Sequence, residues 1–191
     1  MKKFLKITGI SIISLLLLLI AFVYFFVNNE NINYQTQMST ITHPTVQEHM
    51  ADKPFVLFVL SSTCGGVDSE EGMKWIKKDI EMCKENKIDY LIVFDDLHCY
   101  SMDDRIKEFA ERRDFKESFY FIDPLAYKEN IKIIDQGRRM KDFLSNLIPD
   151  VSVVGGYPQY FYFEKGIYKG NSFGYLDKGV KKFFNMDLIY N

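Results

Sequence analysis

Hydrophobic and polar positions divide the chain into three parts. Residues 7–27 carry no charged side chain, and as an α-helix they would span about 31 Å, which is enough to cross a bilayer. Residues 28–44 are polar and amide-rich without periodicity, which is typical of a tether. Residues 45–191 alternate apolar runs with polar segments, and this length suits one domain. We therefore predict a membrane anchor over residues 1–27, a tether and one folded domain.

The charges that flank the apolar segment predict its orientation. Lys2, Lys3 and Lys6 precede it, whereas residues 28–44 contain no Lys or Arg. Basic flanks stay on the cytoplasmic side, so we expect a single-pass protein of the cell membrane with a cytoplasmic N-terminus and an extracytoplasmic domain. A cleaved secretory signal is the alternative. It is disfavoured because the segment ends in bulky aromatic residues, where a signal peptidase requires small ones.

Two short apolar runs enclose an amphipathic segment at the start of the folded region. Residues 54–60 and 88–94 are almost continuously apolar, which is typical of strands buried on both faces. Between them, four apolar residues recur at helical spacing. These residues are Met73, Ile76, Ile80 and Cys83. The pattern predicts a βαβ unit with parallel strands and a right-handed crossover, and it places Cys83 in the core.

Other patterns predict the remaining elements. Thr45 and Glu48 have the spacing of a capping box, which would begin a short helix ending before Pro54. Further segments read as a helix over 103–114 with Ile106, Phe109 and Ala110 facing inward, a strand over 118–122, a helix over 138–148 and a closing helix over 175–186. A hairpin is expected over 159–170, where Gly166 supplies the residue with positive φ.

Charge and composition exclude several functions. Without the three flanking lysines the chain has 24 − 3 = 21 basic residues against 26 acidic ones, and this balance does not favour nucleic-acid binding. The three histidines, at 43, 49 and 98, are scattered, and no pair of the three cysteines has metal-ligand spacing. We therefore expect no metal site and no cofactor.

Two local signatures resemble those of the thioredoxin-like fold superfamily. The first is "KPFVLFVLSSTC" (53–64), an apolar strand that runs into a cysteine-containing turn. The second is "VVGGYPQYFYFEKGIYKG" (153–170), in which Pro158 stands where the family has a cis-proline before an antiparallel strand. The resemblance extends over residues 45–187 and is to exported, membrane-anchored bacterial members. It implies an α/β domain with a central mixed sheet flanked by helices, preceded here by the transmembrane helix.

The resemblance also implies a docking edge for peptides. Peptides would pair with the backbone beside Pro158, and the substrate-binding residues would be Thr63, Gly65, Tyr157 and Pro158. The chain departs from the redox members at the cysteine motif, because Cys64 is followed by Gly65, Gly66 and Val67. The second cysteine of C-x-x-C is missing, and Thr63 stands where redox members often have Trp. A two-cysteine exchange within the motif is therefore excluded, and any oxidoreductase activity would lack this partner thiol.

Cys64 is the candidate nucleophile of this edge. The pattern places it at the N-terminus of a helix, where the dipole and free amides stabilise a thiolate, whereas Asp68, Glu70 and Glu71 nearby oppose one. We expect thiol–disulfide chemistry on exported proteins through Cys64. The alternative, which the missing second cysteine favours, is a non-catalytic binding or scaffold module that docks peptides on the same edge.

The loop after the second strand carries two more candidates. Parallel strands 54–60 and 88–94 end at one edge of the sheet, so His98 and Cys99 are expected on the Cys64 side. Cys99 could resolve a mixed disulfide on Cys64, could form a static disulfide with it, or could be a loop residue. His98 is a candidate base for a thiol or a solvated residue. A peroxidase of the peroxiredoxin type ranks third, because its motif would need Pro at Leu57 and Thr at Ser61.

Overall fold

The computed structural model describes residues 13–23, 39–50, 53–95, 108–123, 126–127, 138–148, 156–174 and 176–185. The strands are β1 (Thr40–Ile41), β2 (Pro54–Leu60), β3 (Asp89–Phe94), β4 (Tyr120–Ile122), β5 (Gln159–Glu164) and β6 (Ile167–Phe173). The helices are α1 (His43–His49), α2 (Glu70–Glu85), α3 (Arg138–Ser145) and α4 (Leu176–Phe184). Residues 13–23 and 108–112 are also helical.

The six strands form one mixed sheet in the order β1-β4-β3-β2-β5-β6. The pairs β1–β4, β4–β3 and β3–β2 are parallel, and β5 runs antiparallel to both β2 and β6. With α2 between β2 and β3 and α4 after β6, the part β3-β2-β5-β6 has the topology of a thioredoxin-like domain. The fold expected from the two signatures is therefore confirmed.

Strand β2 lies at the centre because both of its faces are apolar. Val56, Phe58 and Leu60 belong to the core cluster beside α2 and α4. Phe55 and Leu57, together with Val59, belong to the cluster on the other face, which includes residues of α1 and α3. A strand covered on both faces shows no apolar–polar alternation, which is why this run is continuously hydrophobic.

The hairpin and the helical stripes follow the sequence pattern. Lys165 and Gly166 both have positive φ, 52° and 75°, and they form the two-residue turn between β5 and β6. The predicted stripe residues of α2 are buried, and so are four apolar residues at helical spacing in the predicted helix over 138–148. These are Met73, Ile76, Ile80 and Cys83, and Met140, Phe143, Leu144 and Leu147. Phe109 is buried as predicted, whereas Ile106 lies outside the described residues.

The first helix begins earlier than predicted. Thr42 is its N-cap, with no side-chain capping bond, and Pro44 lies in its first turn. Proline is favoured there because the amides of the first turn have no acceptor within the helix, so that a missing N–H costs no hydrogen bond. Thr45 is inside the helix, so the predicted capping box is wrong. Strand β1 pairs with β4, so the sheet begins at Thr40, within the segment predicted as a tether.

The predicted anchor lies only partly within the described residues. Of residues 7–27 the structure describes 13–23, a helical stretch whose large apolar side chains are exposed. Within the described ranges, no helix combines the length and apolarity needed to cross a membrane.

Candidate functional site

The segment that leaves β2 forms a tight turn around Cys64. The Cys64 carbonyl accepts hydrogen bonds from the amides of Val67 and Asp68, each at 2.8 Å. Helix α2 begins only at Glu70, and its N-cap is Ser69, whose hydroxyl accepts the amide of Gly72 at 2.9 Å. The prediction that Cys64 occupies the helix N-terminus is therefore wrong. A serine hydroxyl caps free helix amides well, and a cysteine does not belong to the preferred capping residues.

The sulfur of Cys64 faces the loop that precedes β5. Its thiol donates a hydrogen bond to the carbonyl oxygen of Tyr157, with 3.7 Å between Sγ and O. The Tyr157–Pro158 peptide bond is cis, as predicted. Cys64 is half-buried and carries a free thiol. The structure thus brings together three of the sequence-predicted site residues, Cys64, Tyr157 and Pro158.

The two glycines after Cys64 have different surroundings. A Cβ atom added at Gly66 would lie 2.8 Å from the Tyr157 carbonyl oxygen, whereas one at Gly65 would meet nothing within 4 Å. Real Cβ atoms essentially never approach an oxygen as closely as the Gly66 position requires. The absence of a side chain at Gly66 therefore allows the turn to approach the Tyr157–Pro158 loop.

The hydroxyl residues before Cys64 are only partly accessible. Ser61 and Ser62 are buried, and the Ser61 hydroxyl lies 3.0 Å from the hydroxyl of Thr63. Thr63 and Gly65 are exposed on either side of Cys64. Of the three hydroxyls, that of Thr63 is therefore the one available to a docked molecule.

The position of the missing second thiol is filled by a core residue. Val67 is fully buried, with 0% of its surface exposed, and belongs to the cluster beside α2. The turn is thus anchored at this point by apolar packing.

Two arginines hold the far side of the turn. The Asp68 carboxylate accepts hydrogen bonds from Arg112 at 2.7 and 2.8 Å and from the Arg113 Nε at 2.9 Å. The Arg113 guanidinium also donates to the Asp68 backbone carbonyl at 2.7 Å. Of the three carboxylates that were expected to oppose a Cys64 thiolate, that of Asp68 is therefore paired with arginine. Glu70 and Glu71 are exposed.

A buried carboxylate near this edge was missed by the sequence analysis. Asp95 follows β3 and is 3% exposed, and its Oδ2 accepts a hydrogen bond of 2.5 Å from the hydroxyl of Tyr157. The signal that could have found it is its position directly after a buried strand, at the edge where β2 also ends. His98 and Cys99 lie outside the described residues.

Farther along α2, a second buried carboxyl group lies beside Cys83. Asp79 accepts a hydrogen bond from the hydroxyl of Tyr160 at 2.7 Å. Burial raises the pKa of Asp79 to about 7, although the Tyr160 hydroxyl acts in the opposite direction. Burial also raises the pKa of the Cys83 thiol, and the Asp79 charge adds to this. Cys83 is therefore an inert core thiol at neutral pH, as predicted.

Metal-binding side chains are not grouped in the described part of the chain. No three His, Cys, Asp or Glu residues there are arranged so that they could hold a metal ion. His43 instead pairs with Tyr127, with 2.8 Å between its Nδ1 and the Tyr127 hydroxyl.

Comparisons with known proteins give structural neighbours. No protein-family model and no curated protein sequence matches the chain. MTB DsbF, in its mixed oxidized and reduced forms, has a TM-score of 0.44 and 13% identity, over 72% of this chain and 84% of its own. StoA from Bacillus subtilis has a TM-score of 0.39 and 13% identity, over 64% and 75%. An uncharacterized thioredoxin-like protein from Porphyromonas gingivalis has a TM-score of 0.38 and 17% identity, over 70% and 72%.

Proposed function

We propose that the domain acts in thiol–disulfide chemistry on exported proteins through the single nucleophile Cys64. One observation carries the proposal: Cys64 is only half-buried, and its sulfur lies 3.7 Å from the carbonyl that precedes Pro158. A peptide that pairs with the backbone beside Pro158 brings its own sulfur to this point. Thr63 and Gly65, both exposed, flank the sulfur and contact the bound peptide.

The reaction exchanges one disulfide for another. The Cys64 thiolate attacks a disulfide of the bound protein, so that a bond forms between Sγ and the substrate sulfur while the substrate S–S bond breaks. The displaced substrate sulfur leaves as a thiolate and takes up a proton. A second thiol then attacks the Cys64 sulfur, so that the bond between Sγ and the substrate sulfur breaks and the protein leaves with a free thiol. If this thiol is Cys99, the product is a Cys64–Cys99 disulfide, which a dithiol reductant returns to two thiols.

The test is to trap and identify the thiol that reacts. We expect iodoacetamide to modify Cys64 in the native protein, while the buried Cys83 remains unmodified. A mixed disulfide with exported proteins should accumulate in cells in which Cys99 is replaced by Ser. The matched control is the Cys64→Ser variant, which must form none. If Cys64 reacts no faster than cysteine in an unfolded peptide and Cys64→Ser keeps full activity in cells, the proposal is wrong.

A docking module without catalysis is the second candidate, and the packing of Val67 favours it. The position of a second motif thiol holds a fully buried valine, so the turn is built as part of the core. In this case the domain binds peptides beside Pro158 and releases them unchanged. Peptide affinity that is the same for the native protein and for Cys64→Ser, without any mixed disulfide, would support this candidate over the first.

We also propose that residues 7–27 anchor the domain at the outer side of the cell membrane. The charge-free sequence, its lysine flank and the exposed apolar side chains of helical residues 13–23 support this. Mass spectrometry of membrane-extracted protein should find residues 2–20 still attached. A mature chain that starts near Asn28 would instead indicate a cleaved signal.

A further inference from the structure

Tyr157 contributes both its backbone and its side chain to the Cys64 edge. Its carbonyl oxygen faces the Cys64 sulfur, and its hydroxyl donates to Asp95 at 2.5 Å. The two contacts start from one residue and point to different segments of the chain. The position of the carbonyl is therefore linked through the Tyr157 side chain to Asp95.

The Asp95 end of this link is fixed by the sheet. The Asp95 amide donates to the Leu60 carbonyl at 2.9 Å, which continues the parallel pairing of β3 with β2. Asp95 is 3% exposed, and a buried carboxylate requires hydrogen bonds to offset its loss of hydration. The Tyr157 hydroxyl supplies such a bond to Oδ2. Asp95 is thus a rigid acceptor.

The Tyr157 side chain reaches Asp95 across the edge of the sheet at which β2 and β3 end. Strand β2 lies between β3, which leads to Asp95, and β5, which follows Tyr157 and Pro158. The Tyr157 side chain therefore spans the end of β2 at the point where the chain departs toward Cys64. Its ring packs against the core clusters on both faces of the sheet. We call the Tyr157 side chain and the Asp95 carboxylate the strap.

We propose that Asp95 is a positioning residue for Cys64. The strap holds the Tyr157 carbonyl and the loop with Pro158 in a fixed position beside the Cys64 sulfur. This inference rests on the proposed function, because it assigns Asp95 a role in the same reaction. Asp95 acts through Tyr157 and does not touch the reacting atoms. A substrate peptide must pair with the backbone at Tyr157 before its disulfide meets Cys64, so a loose loop slows this reaction more than reactions of small reagents.

The experiment compares a docked substrate with a small one. The first probe is a short peptide whose single cysteine is a mixed disulfide with thionitrobenzoate. Cys64 forms a disulfide with the peptide sulfur, the original S–S bond breaks, and coloured thionitrobenzoate leaves. The second probe is the symmetric dithiobis-nitrobenzoate, which requires no peptide pairing. Both rates are measured on the full chain, with the signal of Cys64→Ser subtracted.

We expect Tyr157→Phe to lower the peptide rate about fivefold or more, because it removes a hydrogen bond to a buried carboxylate, and to leave the small-reagent rate within about twofold. Asp95→Ala should lower the peptide rate at least as much, and the double variant should be no slower than Asp95→Ala, since both changes remove the bond between Tyr157 and Asp95. Asp95→Asn keeps an acceptor oxygen and should restore part of the rate. Tyr168→Phe is the matched control, because it removes a tyrosine hydroxyl bond to Asn171 in the same hairpin, near the turn at the opposite end.

A second measurement does not depend on the reactivity of Cys64. Hydrogen exchange of the amides in residues 156–160 should be faster in Tyr157→Phe than in the native protein and unchanged in Tyr168→Phe, whose ring contacts Phe163. If Asp95→Ala fails to fold, Tyr157→Phe decides alone, because its ring still packs. Equal peptide rates in Tyr157→Phe and the native protein, additive effects of the two changes or unchanged exchange would each overturn the role of Asp95. If native Cys64 reacts with neither probe, the proposed function is wrong. The hydrogen-exchange measurement then tests on its own whether the strap holds the loop in place.

Discussion

The Asp79 carboxylate and the Tyr160 hydroxyl form a 2.7 Å hydrogen bond in the layer between α2 and the sheet. Both side chains are buried, Asp79 at 7% and Tyr160 at 1% exposure. Among the charged groups near Asp79, Lys78 favours its charged form and Asp177 opposes it. The buried Cys83, Tyr160 and Tyr162 also interact with it. Burial is the largest of these effects, so the folded domain prefers the protonated acid.

This preference makes stability depend on pH. The folded pKa of Asp79 is about 7, above its ordinary value of 3.8. The unfolded chain therefore releases this proton at a lower pH than the folded domain. The contribution of Asp79 to stability is fully present below about pH 3.8, falls as pH rises, and is lost above about pH 7. At about 1.36 kcal/mol per pH unit the loss is roughly 4 kcal/mol.

We expect Asp79→Asn to stabilise the domain at pH 8 by up to ~4 kcal/mol and to have little effect near pH 4, because the amide cannot ionise and still accepts the Tyr160 hydrogen bond. Urea unfolding at both pH values measures the difference. Glu85→Gln, in the same helix but exposed, is the control and should show no such contrast. A difference between Asp79→Asn and the native protein that is the same at both pH values would contradict the assignment.

The two glycines after Cys64 should respond oppositely to alanine. Gly66→Ala places a Cβ atom 2.8 Å from the Tyr157 carbonyl oxygen, and we expect a cost of about 1–3 kcal/mol in the free energy of unfolding, together with slower reaction of Cys64 with peptide disulfides. Gly65→Ala meets no atom within 4 Å and should change stability by less than about 1 kcal/mol, in the stabilising direction. Chemical denaturation of both variants measures this. Equal costs would mean that the turn does not press on the Tyr157–Pro158 loop.

The two arginines that bind Asp68 should contribute unequally to the free energy of unfolding. Arg113 is 16% exposed and also binds the Asp68 backbone carbonyl, whereas Arg112 is 53% exposed. We expect Arg113→Ala to lower the free energy of unfolding by about 1–3 kcal/mol and Arg112→Ala by less than about 1 kcal/mol, because solvent screens an exposed pair. The thermal midpoint of each variant, at low and at high salt, tests this. A larger loss from Arg112→Ala would show that the exposed pair dominates.

Cys83 should report unfolding. It is 0% exposed, and its raised pKa disfavours the thiolate. In a variant with Cys64→Ser and Cys99→Ser, we expect alkylation of Cys83 to follow the unfolded fraction across a denaturant titration. The rate in the absence of denaturant should be lower by the unfolding equilibrium constant. Rapid modification of Cys83 under native conditions would indicate local opening of α2.

The core of the fold and one half of the site were predictable from sequence, because they depend on local patterns. The continuous apolar run of β2, the stripe of α2 and the turn at Gly166 each specify an element within a few residues. The cis bond at Pro158 was inferred by family resemblance, from the strand that follows it. Strand β1 was not predicted, because a strand of two residues is too short to show a periodic pattern.

The rest depends on contacts between distant residues or on a choice between equal local signals. Tyr157 and Asp95 are 62 positions apart, and no pattern in either segment indicates the other. The segment from Ser61 to Ser69 contains several residues that could cap a helix, and in the structure Ser69 is the N-cap, with its hydroxyl accepting the amide of Gly72. Both Thr42 and Thr45 could likewise cap the first helix. In the structure Thr42 is the N-cap, and Pro44 lies in the first turn of α1.

Strand β1 has a mechanical consequence for the domain. Backbone hydrogen bonds from Phe121 to Ser39 and from Asp123 to Ile41, both 3.0 Å, hold it on β4. A pulling force on the chain before residue 39 loads these bonds first, because β1 is the first strand that such a force reaches. Along the chain, β1 leads through α1 into β2, and the turn with Cys64 follows β2. Tension from the N-terminal side must therefore break the bonds between β1 and β4 at one border of the sheet before it acts on β2, the strand that leads to the sulfur.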